Sequence, residues 1–386
     1  MIAVIADDFT GAAELAAVGL RYGLNPEVQT QLTPTSKADL IVIDTDTRSR
    51  TPNEAATEVE KVFKQLQTMP AQWVYKKVDS VMRGRIATEL TALLTASNKQ
   101  KVLLVPANPS MGRTISNDRY FINGRPLNET DFANDPEYPA ASSDVLDLLG
   151  KSETVTTRVL QSRQPIPTNA IIVGEAETKQ DLQSWAAQLD NSTFPAGAAD
   201  FFAAILESKG FHQIPPKQKA ESPQGKTALF VCASRSHYSP KAVEEAQRHA
   251  IPVSKMPSEL LYNYEPSDKL LQQWTNDTIT TLQEYSKAIV TIDQPIARNP
   301  ALARKLRHHI AVLVENVLSR TSIDELFIEG GATASAIVRR LQWTRFFPCA
   351  ELAPGIVRMR VKEKQNLYLT IKPGSYHWPK KTWRFT

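Results

Sequence analysis

Short apolar runs alternate with helix-like stretches along this chain, and no other feature constrains its fold as tightly. IAVIA (2–6), LIVIDTD (40–46), WVYKKVDS (73–80) and KVLLVPA (101–107) read as strands. Between them, TGAAELAAVGLRYG (10–23), PNEAATEVEKVFKQL (52–66, with Pro52 in its first turn) and GRIATELTALLTAS (84–97) read as helices. Strands separated by helices pair in parallel, so the pattern predicts a mostly parallel sheet with helices on its faces.

The rhythm lapses from 108 to 139, a polar stretch rich in Gly, Pro, Asn and Asp that predicts a long irregular loop of the kind that carries function. It resumes with AIIVG (170–174) and helix-like segments at 178–189 and 197–210. IPPKQKAESPQGK (214–226) has three prolines, many charges and no aromatic residue, the composition of a linker. A second α/β series follows: ALFVCAS (228–234), a helix at 239–250, KAIVTID (287–293), a long amphipathic helix near 300–319 and ELFIEGG (325–331). A helix from about Thr333 to Leu341 and a strand in YLTIKPGSY (368–376) complete it. A length of 386 residues suits two domains, here 1–213 and 227–386, joined by the linker at 214–226.

Hydrophobic residues make up 42% and charged residues 22%, enough to fill two cores. The formal net charge of +4 is not gathered into runs, which argues against nucleic acid and fits a small anionic substrate. Two cysteines, Cys232 and Cys349, make neither a disulfide framework nor a structural zinc site, so a reducing cytoplasm is expected. The N-terminal apolar run has no basic segment before it and is interrupted by Asp7-Asp8, unlike a signal peptide. No apolar run approaches the roughly 18 residues of a membrane span.

Ligands of parallel α/β sheets gather at the carboxyl ends of the strands. In the first half that edge collects Asp7 and Asp8, then Asp44 and Asp46, then Lys77, Asp79, Ser80, Arg83 and Gly84, and finally Asn108 to Arg113. One aspartate at a strand–helix junction is explained as a helix N-cap. A second is not, because one residue caps; a carboxylate at such a mouth can take a proton from a hydroxyl or hold a metal. Arg83 suits capture of a carboxylate or phosphate and Gly84 permits close backbone approach, with a solvated basic loop as the plain alternative. In the second half, FIEGGATASAI sets a Gly-Gly turn between strand and helix, suited to phosphate, against a simple tight turn capped by Thr333. Gly150-Lys151-Ser152 and Gly225-Lys226-Thr227 look like the end of a Walker A loop, but Val145 and Ala220 stand where its first glycine belongs. No G-x-G-x-x-G, H-E-x-x-H or G-x-S-x-G occurs.

The stretches IADDFTGAAELA, KKVDSVMRGRIATEL, PANPSMGRT with YFINGRPLNETDFANDPEYP, AGAADFFAAIL, EGGATASAI, APGIVRMRV and LTIKPGS occur in this order over nearly the whole chain. Together they resemble the four-carbon acid sugar kinase family, the tetronate kinases. The resemblance implies two α/β domains with the active site in the interdomain cleft, the N-terminal one binding a sugar acid and the C-terminal one ATP. It implies phosphoryl transfer, with Mg²⁺, to the terminal hydroxyl of a tetronate or 3-oxo-tetronate. Asp7 and Asp8 would be the catalytic pair, one of them taking the hydroxyl proton. Arg83 would hold the substrate carboxylate and Lys77 and Asp79 its hydroxyls, with Ser80, Gly84, Asn108 and Arg113 alongside. ATP would lie between Ser234, Gly330, Gly331, Ala332, Thr333 and Gly374. The implied partners are the acid and the nucleotide, with no nucleic acid or membrane; a homodimer is compatible.

The nucleotide half departs most from the family pattern. Val231-Cys232-Ala233-Ser234 stands for Gly-Ser-Cys-Ser, and Gly330-Gly331-Ala332-Thr333 lacks the acid of Gly-Gly-Glu/Asp-Thr. Lys372-Pro373-Gly374-Ser375-Tyr376-His377 stands for Lys-x-Gly-x-Phe-Gly, and in the first half Asp79-Ser80-Val81 stands for Asp-Ser-Thr. Weaker ATP binding is the expected consequence. The competing reading is a binding or regulatory protein that keeps the acid pocket.

Overall fold

The computed structural model describes residues 1–135, 137–152, 154–162, 164–215, 227–232, 238–262, 268–292, 300–374 and 376–383. The chain divides into two units, Met1–Pro215 and Pro216–Thr386. Most of the linker expected at 214–226 lies outside the described residues.

The first unit runs β1 (Ile2–Ala6), α1 (Phe9–Arg21), β2 (Pro26–Gln29), β3 (Leu40–Asp44), α2 (Pro52–Gln67), β4 (Trp73–Lys77), α3 (Ile86–Ala96) and β5 (Lys101–Val105). It continues with β6 (Arg113–Ser116), β7 (Arg119–Ile122), β8 (Arg125–Pro126), α4 (Val145–Leu149), β9 (Thr156–Leu160), β10 (Ala170–Gly174), α5 (Lys179–Ala187), β11 (Thr193–Gly197) and α6 (Ala199–Ser208). Its main sheet has the order β2-β3-β1-β4-β11-β5-β10-β9, with every neighbouring pair parallel. The apolar runs were legible because β1, β3 and β10 are buried along their whole length, as strands covered on both faces must be. Helix α2 starts where Thr51 and Glu54 close a capping box around Pro52.

Register aligns the strand ends that bear on function. Ala6 of β1 faces Asp44 of β3 and Lys77 of β4, and Gly197 of β11 faces both Lys77 and Val105 of β5. The loops leaving these strands therefore meet at one edge of the sheet.

The stretch from 108 to 139 differs from the irregular loop expected, because it holds the antiparallel sheet β6-β7-β8. Its turns put Asn117, Asp118, Asn123 and Gly124 at positive φ, the left-handed geometry that closes two-residue hairpins. Strands of four, four and two residues are too short to show a period in the sequence.

The second unit runs β12 (Ala228–Cys232), α7 (Tyr238–Arg248), β13 (Val253–Lys255), α8 (Glu259–Tyr262), α9 (Asp268–Tyr285), β14 (Lys287–Thr291), α10 (Pro300–Arg320), β15 (Glu325–Glu329) and α11 (Gly331–Arg340). Strands β16 (Arg345–Ala353), β17 (Ile356–Val361) and β18 (Lys364–Lys372) follow. The sheet order is β13-β14-β12-β15-β18-β17-β16, parallel as far as β18 and antiparallel beyond it. On one face Phe230 stacks on Phe327 at 4.5 Å, with Trp383 against Phe230 and Trp378 against Phe327.

His309 of α10 is 3% exposed, and neither ring nitrogen has a hydrogen-bond partner. Burial, with Lys305 and His308 adding to it, pushes its pKa down from 6.5 to about 4. The folded imidazole stays neutral down to that value, whereas the unfolded chain protonates from 6.5. Stability is therefore unaffected above pH 6.5 and falls as pH drops toward 4, by up to about 3 kcal/mol. Urea midpoints should decline over that window in the wild type, and His309→Leu should flatten the decline. An equal decline in both proteins would clear His309.

Candidate active site

Asp8 ends the β1–α1 junction as the N-cap of α1, accepting from the Gly11 N–H at 2.8 Å and from the Thr10 hydroxyl. The residue at 11 must be small: a Cβ there would lie 2.7 Å from Asp8 Oδ1 and 3.1 Å from Lys77 Nζ. Capping thus accounts for part of Asp8 and none of Asp7.

The rest is explained by Arg48, four residues beyond the end of β3. Its Nε and Nη2 donate to the two oxygens of Asp7 at 2.8 and 3.1 Å. Nη1 reaches Asp8 Oδ2 at 3.0 Å, and Nη2 lies 2.9 Å from Asp8 Oδ1 and 3.6 Å from Asp79 Oδ1. Arg83 grips Asp79 from the other side, Nε to Oδ2 and Nη2 to Oδ1 both at 2.8 Å, while its Nη1 donates to Asp135 at 2.9 Å. Lys77 Nζ donates to the Val78 carbonyl at 2.9 Å and pairs with Glu14 at 3.3 Å. Gly84 adopts φ +106° and lies against the Arg48 side chain.

Burial pushes the Asp8 pKa up, but Arg48, Lys77 and the Thr10 hydroxyl more than offset it, so the carboxyl ends below its usual value. Burial opposes ionisation of Asp79 too, and Arg83 with Arg48 overcomes it and holds the group far below the usual carboxylate range. Both aspartates are therefore ionised at neutral pH.

The structure thus brings Asp7, Asp8, Lys77, Asp79, Arg83 and Gly84 together. Ser80, Asn108 and Arg113 form an adjoining group: Arg113 donates to the Ser80 hydroxyl, and Asn108 exchanges backbone hydrogen bonds with Arg113 and accepts from the Asp200 N–H at 2.8 Å. The Asp46 backbone N–H donates to Asp44 Oδ1 at 2.9 Å. Sequence reasoning missed Arg48, Glu14 and Asp135. The available signal for Arg48 was its place in DTDTRSR, just past a strand whose aspartates had drawn notice.

Among the described residues no group of three or more Asp, Glu, His or Cys side chains is arranged to hold a metal ion. Oxygens of Asp7, Asp8 and Asp79 face guanidinium nitrogens instead. This set does not fit Mg²⁺.

In the second unit Gly330, at φ +93°, is the N-cap of α11, and its N–H donates to the Lys372 carbonyl at 2.8 Å. This ties the end of β18 to the Gly-Gly turn. The helix begins at Gly331 rather than near Thr333, so Thr333 is a buried first-turn residue and not the cap. No side chain caps α11, and Ala332 is exposed. Lys372 Nζ folds back onto the carbonyls of Pro373 at 3.0 Å and Tyr376 at 2.7 Å, close to Gly374. Ser234 lies outside the described residues. A separate cavity of about 440 Å³, lined by Arg304, Arg307, His308 and Arg340 among others, runs beside the middle and end of α11.

Residues 2–205 match the family of sugar-binding N-terminal domains, and residues 229–376 match that of nucleotide-binding C-terminal domains. The chain belongs to the four-carbon acid sugar kinase family. Over 386 aligned residues it is 28% identical to the D-threonate kinase of Salmonella typhimurium, covering 92% of this chain and 89% of that one. It is 27% identical to the 3-oxo-tetronate kinase of Actinobacillus succinogenes, covering 97% and 96%. A solved Haemophilus influenzae protein of the DUF1537 family shares the fold at a TM-score of 0.69 and 22% identity, over 99% of this chain and 98% of that one. The mostly parallel α/β architecture expected for the family is the one observed.

Proposed function

We propose that this family member transfers the γ-phosphoryl group of ATP to the terminal hydroxyl of a four-carbon sugar acid, a tetronate or 3-oxo-tetronate. Its similarity to D-threonate and 3-oxo-tetronate kinases over nearly their full lengths supports the reaction class. The observation that carries the acceptor site is the ring of Asp7, Asp8 and Asp79 around Arg48 at the carboxyl edge of the first sheet.

On this reading residues 1–213 bind the acid and residues 227–386 the nucleotide. The acid's hydroxyl oxygen attacks the γ-phosphorus, the bond to the β–γ bridging oxygen breaks, and ADP leaves. The hydroxyl proton passes to Asp8, whose side chain is 12% exposed, rather than to Asp7, at 3%. A carboxylate held ionised is a weak base, but phosphoryl transfer needs the nucleophile positioned more than strongly deprotonated. Arg83 uses three of its five N–H groups on Asp79 and Asp135, which leaves two for the substrate carboxylate. Lys77, Asp79, Ser80, Asn108 and Arg113 serve its hydroxyls. The nucleotide's phosphates rest on Gly330 to Thr333, with Ser234 and Gly374 alongside. A reaction that draws on ATP and small acids implies the cytoplasm.

The test is ADP release by purified protein with Mg-ATP and threonate, erythronate or their 3-oxo forms. Turnover of at least one is expected, and none with any at high enzyme concentration would reject the proposal. Arg83→Ala should raise KM for the acid by about 10–100-fold, the worth of one charged hydrogen-bonding partner, with a smaller effect on KM for ATP. An unchanged acid KM would remove Arg83 from substrate binding.

A further inference from the structure

We propose that the Arg48 guanidinium is the resident cation of the acceptor pocket: it fills the position between Asp7, Asp8 and Asp79 where a divalent metal would otherwise sit, so metal enters the site only with the nucleotide. The inference rests on reading the first unit as the acceptor unit.

A single nitrogen makes the argument. Nη2 lies 3.1 Å from an oxygen of Asp7, 2.9 Å from one of Asp8 and 3.6 Å from one of Asp79. Three carboxylates from two different loops converging on one point is how proteins build sites for hard cations, which take oxygen ligands at about 2.0–2.6 Å. Here the oxygens of Asp7 and Asp8 stand at hydrogen-bond distances from Nη2 and that of Asp79 at ion-pair distance, and the remaining oxygens of Asp7 and Asp8 are met by Nε and Nη1 of the same side chain at 2.8 and 3.0 Å. The planar fork of arginine can serve several carboxylates at once; an ammonium offers a point charge and fewer donors.

Charge points the same way. Among the described residues the ion pairs of Asp7, Asp8, Asp79, Asp135 and Glu14 are with Arg48, Lys77 and Arg83. Carboxylates already outnumber cations there, and removing Arg48 would leave an anionic substrate facing five carboxylates with only Lys77 and Arg83 to offset them. Arg48 is also held from behind. Its side chain is 16% exposed, Gly84 leaves it room because a Cβ would stand 3.1 Å from its Cγ, and the Tyr138 hydroxyl donates to its carbonyl.

Mn²⁺ titration followed by electron paramagnetic resonance tests this. Without nucleotide, wild type should bind no Mn²⁺ at submillimolar concentration; with ATP it should bind. Arg48→Ala should gain a nucleotide-independent Mn²⁺ site, seen also as a Mn²⁺-dependent rise in melting temperature, and the Asp8→Asn/Arg48→Ala double variant should lose it. Should Arg48→Ala fail to fold, Arg48→Lys keeps the charge. It should remain metal-free without nucleotide and lose at least about 10-fold in kcat, with KM for ATP little changed. Submillimolar Mn²⁺ binding by nucleotide-free wild type that Asp8→Asn abolishes would overturn the proposal. So would a folded Arg48→Ala that binds no Mn²⁺, or an Arg48→Lys with wild-type kcat. A wild type that turns over no acid would reject the kinase reading while leaving these metal titrations to be judged independently.

Discussion

Asp8→Asn is expected to lower kcat by about 10²–10⁴-fold, the usual contribution of a positioned proton acceptor. The acid's affinity should change little, because shape is kept. Stability should fall modestly, because the amide loses the charge that Arg48 and Lys77 face, while the cap is kept. Asparagine caps a helix about as well as aspartate, so the bond from the Gly11 N–H survives, and Arg48 keeps both oxygens of Asp7. Asp8→Ala, by contrast, loses acceptor and cap together and should cost about 1 kcal/mol of stability on top of the same loss of turnover. Steady-state kinetics and urea unfolding of both variants separate the two roles. If Asp8→Asn turns over like wild type, Asp8 is only a cap and Asp7 is the acceptor.

Gly331→Val should weaken ATP binding by about 100-fold or more. Gly331 is the first residue of α11, and no side chain caps the helix, which leaves its first-turn N–H groups open to phosphate oxygens. A branched side chain at that point would stand where the phosphate is proposed to rest and would displace two or more charge-assisted hydrogen bonds. The measurement is nucleotide titration of both proteins with and without Mg²⁺. Equal affinities would put the nucleotide elsewhere.

How much of this was legible in the sequence depends on how local the signal is. Strands buried on both faces announce themselves, and IAVIA and AIIVG were read to the residue as β1 and β10. The short strands PEVQ, TTRVL and TFPAG, now β2, β9 and β11, carry too few apolar residues to stand out. Helix α9, DKLLQQWTNDTITTLQEY, was passed over because threonines and other polar residues dilute its apolar stripe. The site divides along the same line. Asp7, Asp8, Lys77, Asp79 and Arg83 were found because each lies at or soon after the end of a legible strand. Arg48 was not, because its importance comes from β3 lying beside β1, a pairing between residues about 40 positions apart that no short window displays. At Asp7-Asp8 the sequence set capping against proton acceptance or metal binding; pairing with a cation was not foreseen, and Asp8 both caps α1 through the Gly11 N–H and pairs with Arg48.

The aromatic cluster of the second unit has a use of its own. The Trp378 indole N–H donates to Glu329 at 3.2 Å, and Glu329 is the last residue of β15, immediately before the Gly330 turn. Trp383 lies 6.1 Å from Trp378, close enough for the two rings to share excitation. The unit thus carries a built-in fluorophore wired to the turn where the nucleotide is proposed to rest. Its emission is expected to change when nucleotide occupies that turn, a readout that needs no dye and no coupled enzyme.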